Sequence, residues 1–156
     1  MMELQDASGH ERKINKLRTG IVIDHIPQYH ALHVAELLGL ADGKQGMITI
    51  GLGLESRKLG RKDIIHIENK TLSEKELSVI ALVAPGATIN VLEEYIVIKK
   101  FTVSLPDEFE DVLACANANC ITNKEKVQTL MHRRGYTLRC HFCEHEFPLH
   151  ELSILR

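Results

Sequence analysis

The chain's four cysteines fall in two close pairs. Cys115 and Cys120 enclose four residues, Cys140 and Cys143 enclose His141 and Phe142, and nineteen residues separate the pairs. Two short-spaced thiol pairs joined by a long excursion suit a tetrahedral zinc ion, because each pair sits on a tight turn that aims both sulfurs inward. Two disulfides or four buried thiols are the alternatives that spacing leaves open. Four thiolates close the coordination shell, so the metal would hold structure and activate no water. His141, His145 and His150 lie nearby and read as surface groups or as hydrogen-bond partners of the ligands.

A second candidate is the adjacent pair Asp24 and His25, at the end of an apolar run. An acid beside a base invites a catalytic reading, but no thiol is free and no serine sits in a nucleophile elbow. Neighbouring strand residues point to opposite faces, which also separates the two side chains. Ligand binding at a strand end is the better expectation. Arg57, Lys58, Arg61 and Lys62 form the densest cationic cluster, and Lys99 and Lys100 form another. They read either as a solvated loop and a lysine-protected edge strand, or as partners for a polyphosphate. Gly51-Leu52-Gly53 starts neither a P-loop nor a dinucleotide fingerprint.

The elements that must position these residues follow from pattern. GIVIDHI (20–26) is β-branched and closed by Pro27, which predicts a buried strand. A helix is expected over 28–40, with Ala31, Val34, Ala35 and Leu38 on one face. Residues 47–54 and 63–68 predict two strands of a hairpin whose turn holds Arg57 and Lys58. Ser73 with Glu76 forms a capping box that starts a helix ending near Ala84, before Pro85 and Gly86. Two strand-like pieces, ATINVL and YIVIKKFTV, follow around Glu93 and Glu94. The order is that of a ferredoxin-like α+β sheet with its helices on one face.

Residues 104–111 are polar, and the boundary is placed there: 1–104 as the ferredoxin-like domain, with 1–13 weakly ordered, and 105–156 as a small β-rich zinc-ribbon-like domain. So small a unit buries little apolar surface and depends on metal. Short strands are expected at 137–140 and 146–154.

The composition is that of a globular protein, 44% hydrophobic and 26% charged, without tryptophan. No apolar run reaches the length of a membrane span, and the polar N-terminus lacks the core of a secretory signal. A cytoplasmic location is expected, where thiols stay reduced. The formal net charge of -2 supplies no cationic field for nucleic acid. A zinc-ribbon nucleic-acid-binding module nevertheless remains the alternative function, with a small enzyme using Asp24 and His25 behind it.

GIVIDHIP (20–27), ITIGL (48–52), GRKDIIHIEN (60–69), LSE (72–74), APGATIN (84–90), SLP (104–106), CANANCIT and CHFCEHEF together form a specific pattern. The chain resembles the regulatory chain of aspartate carbamoyltransferase from about residue 14 onward. That resemblance implies a noncatalytic subunit of pyrimidine biosynthesis. Its N-terminal domain would bind nucleoside triphosphates, CTP inhibiting and ATP activating, and its zinc domain would bind the catalytic chain. Six catalytic and six regulatory chains would assemble, with regulatory chains paired as homodimers through their N-terminal domains.

By motif, the resemblance makes Asp24 a ribose- or base-side acid, His25 a phosphate-side histidine and Lys100 a phosphate-binding lysine. Ile64, Asn90, Leu92, Tyr95 and Val97 would line the base pocket. The family's nucleotide-contacting lysine is His66 here, and Lys16 replaces a small residue of the pocket wall. Histidine is shorter than lysine and, as a residue type, mostly neutral at pH 7. Weaker triphosphate binding, a blurred choice between CTP and ATP, or a pH-dependent response is expected.

Overall fold

The computed structural model describes residues 17–155. The expectations for residues 1–13 and Lys16 fall outside them. In chain order, the first part comprises β1 (Gly20–Pro27), α1 (Ala31–Leu37), β2 (Ile48–Ser56), β3 (Gly60–Glu68), α2 (Glu74–Val83), β4 (Thr88–Glu93) and β5 (Ile96–Thr102). The five strands form one antiparallel sheet in the order β2-β3-β1-β4-β5. This is the ferredoxin-like interleaving of two split βαβ units, with β5 added as an outer hairpin strand.

Alternation explains why the sheet folds so. Ile21, Ile23, Ile65, Ile67 and Ile89 all point to one face and pack with Ala31 and Val34 of α1 and Ile80 and Ala81 of α2. Each buried isoleucine contributes roughly 1.5–3 kcal/mol by leaving water. The capping box at α2 forms as the sequence predicts. Ser73 Oγ accepts from the Glu76 N–H at 3.1 Å, and Glu76 Oε2 accepts from the Ser73 N–H at 2.9 Å.

Two elements of this part differ from expectation. Helix α1 starts at Ala31 because the chain first turns through Tyr29, whose φ is 74°, and it ends before Gly39 in the left-handed region. Asp63, fully buried, accepts from the Ala31 N–H at 3.2 Å and the Gly53 N–H at 3.0 Å, fixing that late start. Strand β3 begins at Gly60, so Arg61 and Lys62 stand on a strand instead of in the turn.

The second part holds β6 (Glu108–Glu110), β7 (Leu113–Ala114), α3 (Ile121–Lys124), β8 (Leu130–Arg134), β9 (Thr137–Cys140), β10 (Glu146–Pro148) and β11 (Ser153–Ile154). A four-stranded antiparallel sheet runs β10-β9-β8-β6, and β11 pairs with β7. The single strand expected over 146–154 is divided by a short 3-10 turn at Leu149–Glu151. Pro148 has no N–H to continue the ladder.

Helix α2 serves both apolar clusters. Ile80, Ala81 and the following Ala84 face the first sheet. Val79 and Leu82, with Leu37 of α1, join Phe109, Val112, Leu113, Met131 and Leu138 in the second cluster. Lys75 Nζ adds an ion pair with Asp111 Oδ2 at 3.5 Å.

Candidate metal centre and ligand-binding face

The two cysteine turns meet between β7 and β9. Cys115 Sγ lies 3.7 Å from Cys143 Sγ, and Cys120 Sγ lies 3.7 Å from Cys140 Sγ. All four sulfurs fall within 4.8 Å of one another. A tetrahedron with metal–sulfur bonds of about 2.3 Å has an edge of about 3.8 Å. The thiols are free, and these separations far exceed the ~2.05 Å of a disulfide. The metal reading therefore prevails over the disulfide alternative.

Local hydrogen bonds shape each turn. Asn123 Nδ2 donates to the carbonyls of Cys115 and Asn117, both at 2.8 Å, and the Cys120 N–H donates to Asn117 O at 2.9 Å. Thr122 Oγ1 donates to Cys120 Sγ at 3.2 Å. On the second turn, the Glu144 N–H reaches Cys140 O and the Cys140 N–H reaches His145 O, each at 3.0 Å.

Without a cation the four thiols titrate apart. Burial pushes the Cys115 and Cys140 thiols up. Burial also opposes ionisation of Cys143, but the His145 N–H and other donors outweigh it and bring that thiol down to about 6. At Cys120 burial is likewise outweighed, there by the Thr122 hydroxyl and N–H, and the thiol is lowered. Four neighbouring thiolates need a shared positive charge, which a metal ion supplies.

The other predicted residues gather on the sheet face opposite the helices. Register aligns Thr49, His66, Val22, Asn90 and Lys100 in one row across all five strands. Their neighbours along the chain, including Ile65, Ile67, Ile89 and Phe101, point into the helix-covered core. Beside the row, Leu17, Val22 and Leu92 form a small buried apolar cluster with Ile64 packed against it. Val97 stands opposite Leu92 on β5.

Tyr95 sits in the β4–β5 turn. Both turn residues have positive φ, 46° at Glu94 and 67° at Tyr95, as a two-residue hairpin of the mirror-image class requires. Arg18 braces this turn through Glu94 at 2.9 and 3.1 Å, and its carbonyl accepts from the Tyr95 N–H at 2.8 Å. A hollow of ≈ 250 Å³ opens there, lined by Leu17, Arg18, Thr49, His66, Glu68 and Tyr95.

At the opposite end of the face, strand alternation fails. A bulge interrupts the β1 register between Ile23 and Ile26, and His25 takes a left-handed φ of 55°. The His25 ring therefore does not point away from Asp24: its Nδ1 lies 3.8 Å from Asp24 Oδ1. The expected opposition of the two side chains is corrected by this bulge. Lys62, read from the sequence only as one of a cationic cluster, lies with its Nζ 2.7 Å from the same carboxylate oxygen. Only the β1–β3 pairing, a long-range property, brings it there.

One half of the chain thus carries a small apolar cluster with Asp24, Lys62, His25, Asn90 and Lys100 on the same sheet face, and the other half folds around four thiols. The description "aspartate carbamoyltransferase regulatory chain, allosteric domain" matches residues 12–104, and "metal binding domain" of the same chain matches residues 107–153. The chain belongs to the aspartate carbamoyltransferase regulatory chain family. A regulatory chain from Pyrococcus furiosus is 43% identical over 146 residues, 91% of this chain and 96% of its own. One from Thermococcus kodakarensis is 44% identical over 144 residues, 90% and 95% of the two chains. A more distant one, from Bacteroides thetaiotaomicron, is 40% identical over 146 residues, 92% and 95%.

Proposed function

We propose that this chain binds nucleoside triphosphates, CTP and ATP, on the outer face of its N-terminal sheet and docks on the aspartate carbamoyltransferase catalytic chain through its C-terminal half. The cross-sheet row and its flanking groups carry this reading. A nucleotide needs an apolar floor with hydrogen-bonding groups for its base and cations for its phosphates. Val22, Ile64 and Leu92 offer the floor, Asn90 the polar edge, and Lys100, Lys62 and His25 the cationic rim. Asp24 holds Lys62 in position and faces the ribose or base side. His66, Tyr95 and Val97 complete the pocket.

Zinc is the metal that four thiolates at these separations suit, one ion per chain, held by Cys115, Cys120, Cys140 and Cys143. Bound there, it supplies folding free energy and no open coordination position. The division near residue 104 follows the change from one sheet to the other. The reduced thiols fit a cytoplasmic location, and among the described residues no helix is long and apolar enough to cross a membrane.

Pairing of two regulatory chains is supported by β5, an edge strand of the sheet. It exposes Ile96, Val97 and Ile98 along with unpaired backbone groups, which a second copy would cover by extending the sheet. Six regulatory and six catalytic chains are the assembly proposed.

The action is linkage. A nucleotide that binds one quaternary state tenfold better than the other shifts their balance by about 1.4 kcal/mol per site, and substrate alters nucleotide affinity in return. The test mixes purified chain with a cognate catalytic trimer, with and without zinc chelation, then titrates CTP and ATP while following activity. A zinc-dependent complex that responds to nucleotide is expected. Failure to form it defeats the docking role, and a complex indifferent to nucleotide defeats the effector assignment.

A further inference from the structure

The hollow beside Tyr95 carries one acid, Glu68. Strand alternation turns Ile65 and Ile67 of β3 into the helix-covered core and leaves His66 and Glu68 on the outer face. Glu68 is half-buried, and among the described residues that line the ≈ 250 Å³ hollow it is the one carboxylate. Its ladder partner on β1 is Gly20, so no side chain from that strand covers it. Glu68 Oε2 accepts the Met47 N–H at 2.9 Å. Among the described residues that is its one side-chain hydrogen bond, and Oε1 is left for a ligand. The cation lining the same hollow, Arg18, is already committed to Glu94 at 2.9 and 3.1 Å.

Position along β3 polarises the face. Lys62 and Glu68 both look outward, six positions apart on the strand, which is about 20 Å at ~3.3 Å per residue. A triphosphate is drawn to Lys62 and Lys100 and repelled by a carboxylate, so the base is the end of a nucleotide that comes to Glu68. The hollow is smaller than the ~300–1,000 Å³ clefts that enclose whole ligands. One flat ring suits it.

Base edges differ in what they offer. Cytosine N4 and adenine N6 are amino donors, whereas O4 of a uracil-type base is an acceptor. An ionised carboxylate only accepts. It takes a hydrogen bond from the amino group, but against a keto oxygen it sets lone pair on lone pair and leaves both oxygens unpaired.

We infer that Glu68 is a specificity-determining residue, its Oε1 accepting from the exocyclic amino group of the base and so favouring cytosine and adenine nucleotides over uridine nucleotides. The inference rests on the nucleotide site proposed above. Cations read every triphosphate alike, so the choice of base falls to this carboxylate. It gives CTP and ATP, which differ in ring size, one shared point of recognition.

The test measures CTP and UTP binding to the zinc-loaded full-length chain by calorimetry, and ATP beside inosine triphosphate, which has an oxygen in place of the amino group. The parent should bind CTP at least tenfold tighter than UTP, and ATP tighter than inosine triphosphate. Glu68→Gln keeps an oxygen on the Met47 N–H and turns an amide NH₂ to the base. The preference for CTP should disappear or invert, with UTP affinity rising. Loss of a merely structural carboxylate weakens both nucleotides alike, and that result would overturn the assignment. So would a parent that binds CTP and UTP equally, or a variant that keeps the parent's preference. A parent that binds none of the four nucleotides overturns the proposed nucleotide site and this assignment with it.

Discussion

Lys62 Nζ lies 2.7 Å from Asp24 Oδ1, with the two side chains only 19% and 20% exposed. The same carboxylate oxygen accepts the His25 backbone N–H at 2.6 Å. One acid thus holds a cation and a bulged backbone in place at the end of the proposed phosphate path. Lys62→Met removes a cation of the phosphate rim and leaves the Asp24 carboxylate unneutralised close to the bound nucleotide, so triphosphate affinity should fall by about tenfold or more. Adding Asp24→Asn should restore part of that loss, and calorimetry on the two single variants and the double variant measures the coupling. An unchanged affinity in Lys62→Met would place the phosphates elsewhere.

His66 stands in the row between Thr49 and Val22. His66→Lys introduces a longer side chain with a fixed charge and three donors. Triphosphate binding should tighten by roughly tenfold at low ionic strength, with the gain shrinking as salt screens it. Calorimetry at two salt concentrations checks both parts, and no change would mean that His66 does not approach the phosphates.

The apolar edge of β5 gives a prediction for self-association. Ile98 is 53% exposed on that edge, so Ile98→Lys removes little packing within the chain, and stability should move by less than about 0.5 kcal/mol. A lysine there discourages strand pairing between copies. Sedimentation velocity should show the pair shifting towards monomer, whereas an unaltered distribution would exclude this edge as the interface.

Glu76 supplies a pH dependence. Burial opposes its ionisation, but the hydrogen bond from Lys70 and those from Ser73 outweigh it and hold the carboxyl below its ordinary value. The folded state therefore binds this proton less readily than the unfolded chain. The resulting stability is present above the ordinary Glu value of about 4.3 and is lost as pH falls through the lower folded value. Glu76→Gln should be less stable than the parent at pH 7, with the gap narrowing below about pH 4. Denaturant melts of both proteins across that range measure the gap, and a constant difference would show that the carboxylate charge is not responsible.

What the sequence made legible was local or periodic. The apolar run of β1, the Ser73–Glu76 box and the close spacing within each cysteine pair depend on residues a few positions apart, and each forms as read. What stayed hidden was set by distant partners. His25 turns towards Asp24 because of a bulge, Lys62 reaches Asp24 only through strand pairing, and α1 starts late because the buried carboxylate of Asp63 caps it from another strand. His66, Asn90 and Lys100 of the cross-sheet row were named from the family's motifs, while Thr49, Val22 and the alignment itself are properties of register.

The double use of α2 bears on how such chains can be recombined. A graft cut in the polar stretch near residue 104 would carry the second sheet away from Leu37, Val79 and Leu82, which close its apolar cluster from the other side. The foreign half would then meet a mismatched wall ten residues long, about 15 Å at helical rise. A hybrid of two family members should fold at full strength only if the outward positions of α1 and α2 travel with the cysteine-bearing half. The unit of exchange therefore extends beyond the contiguous stretch of sequence.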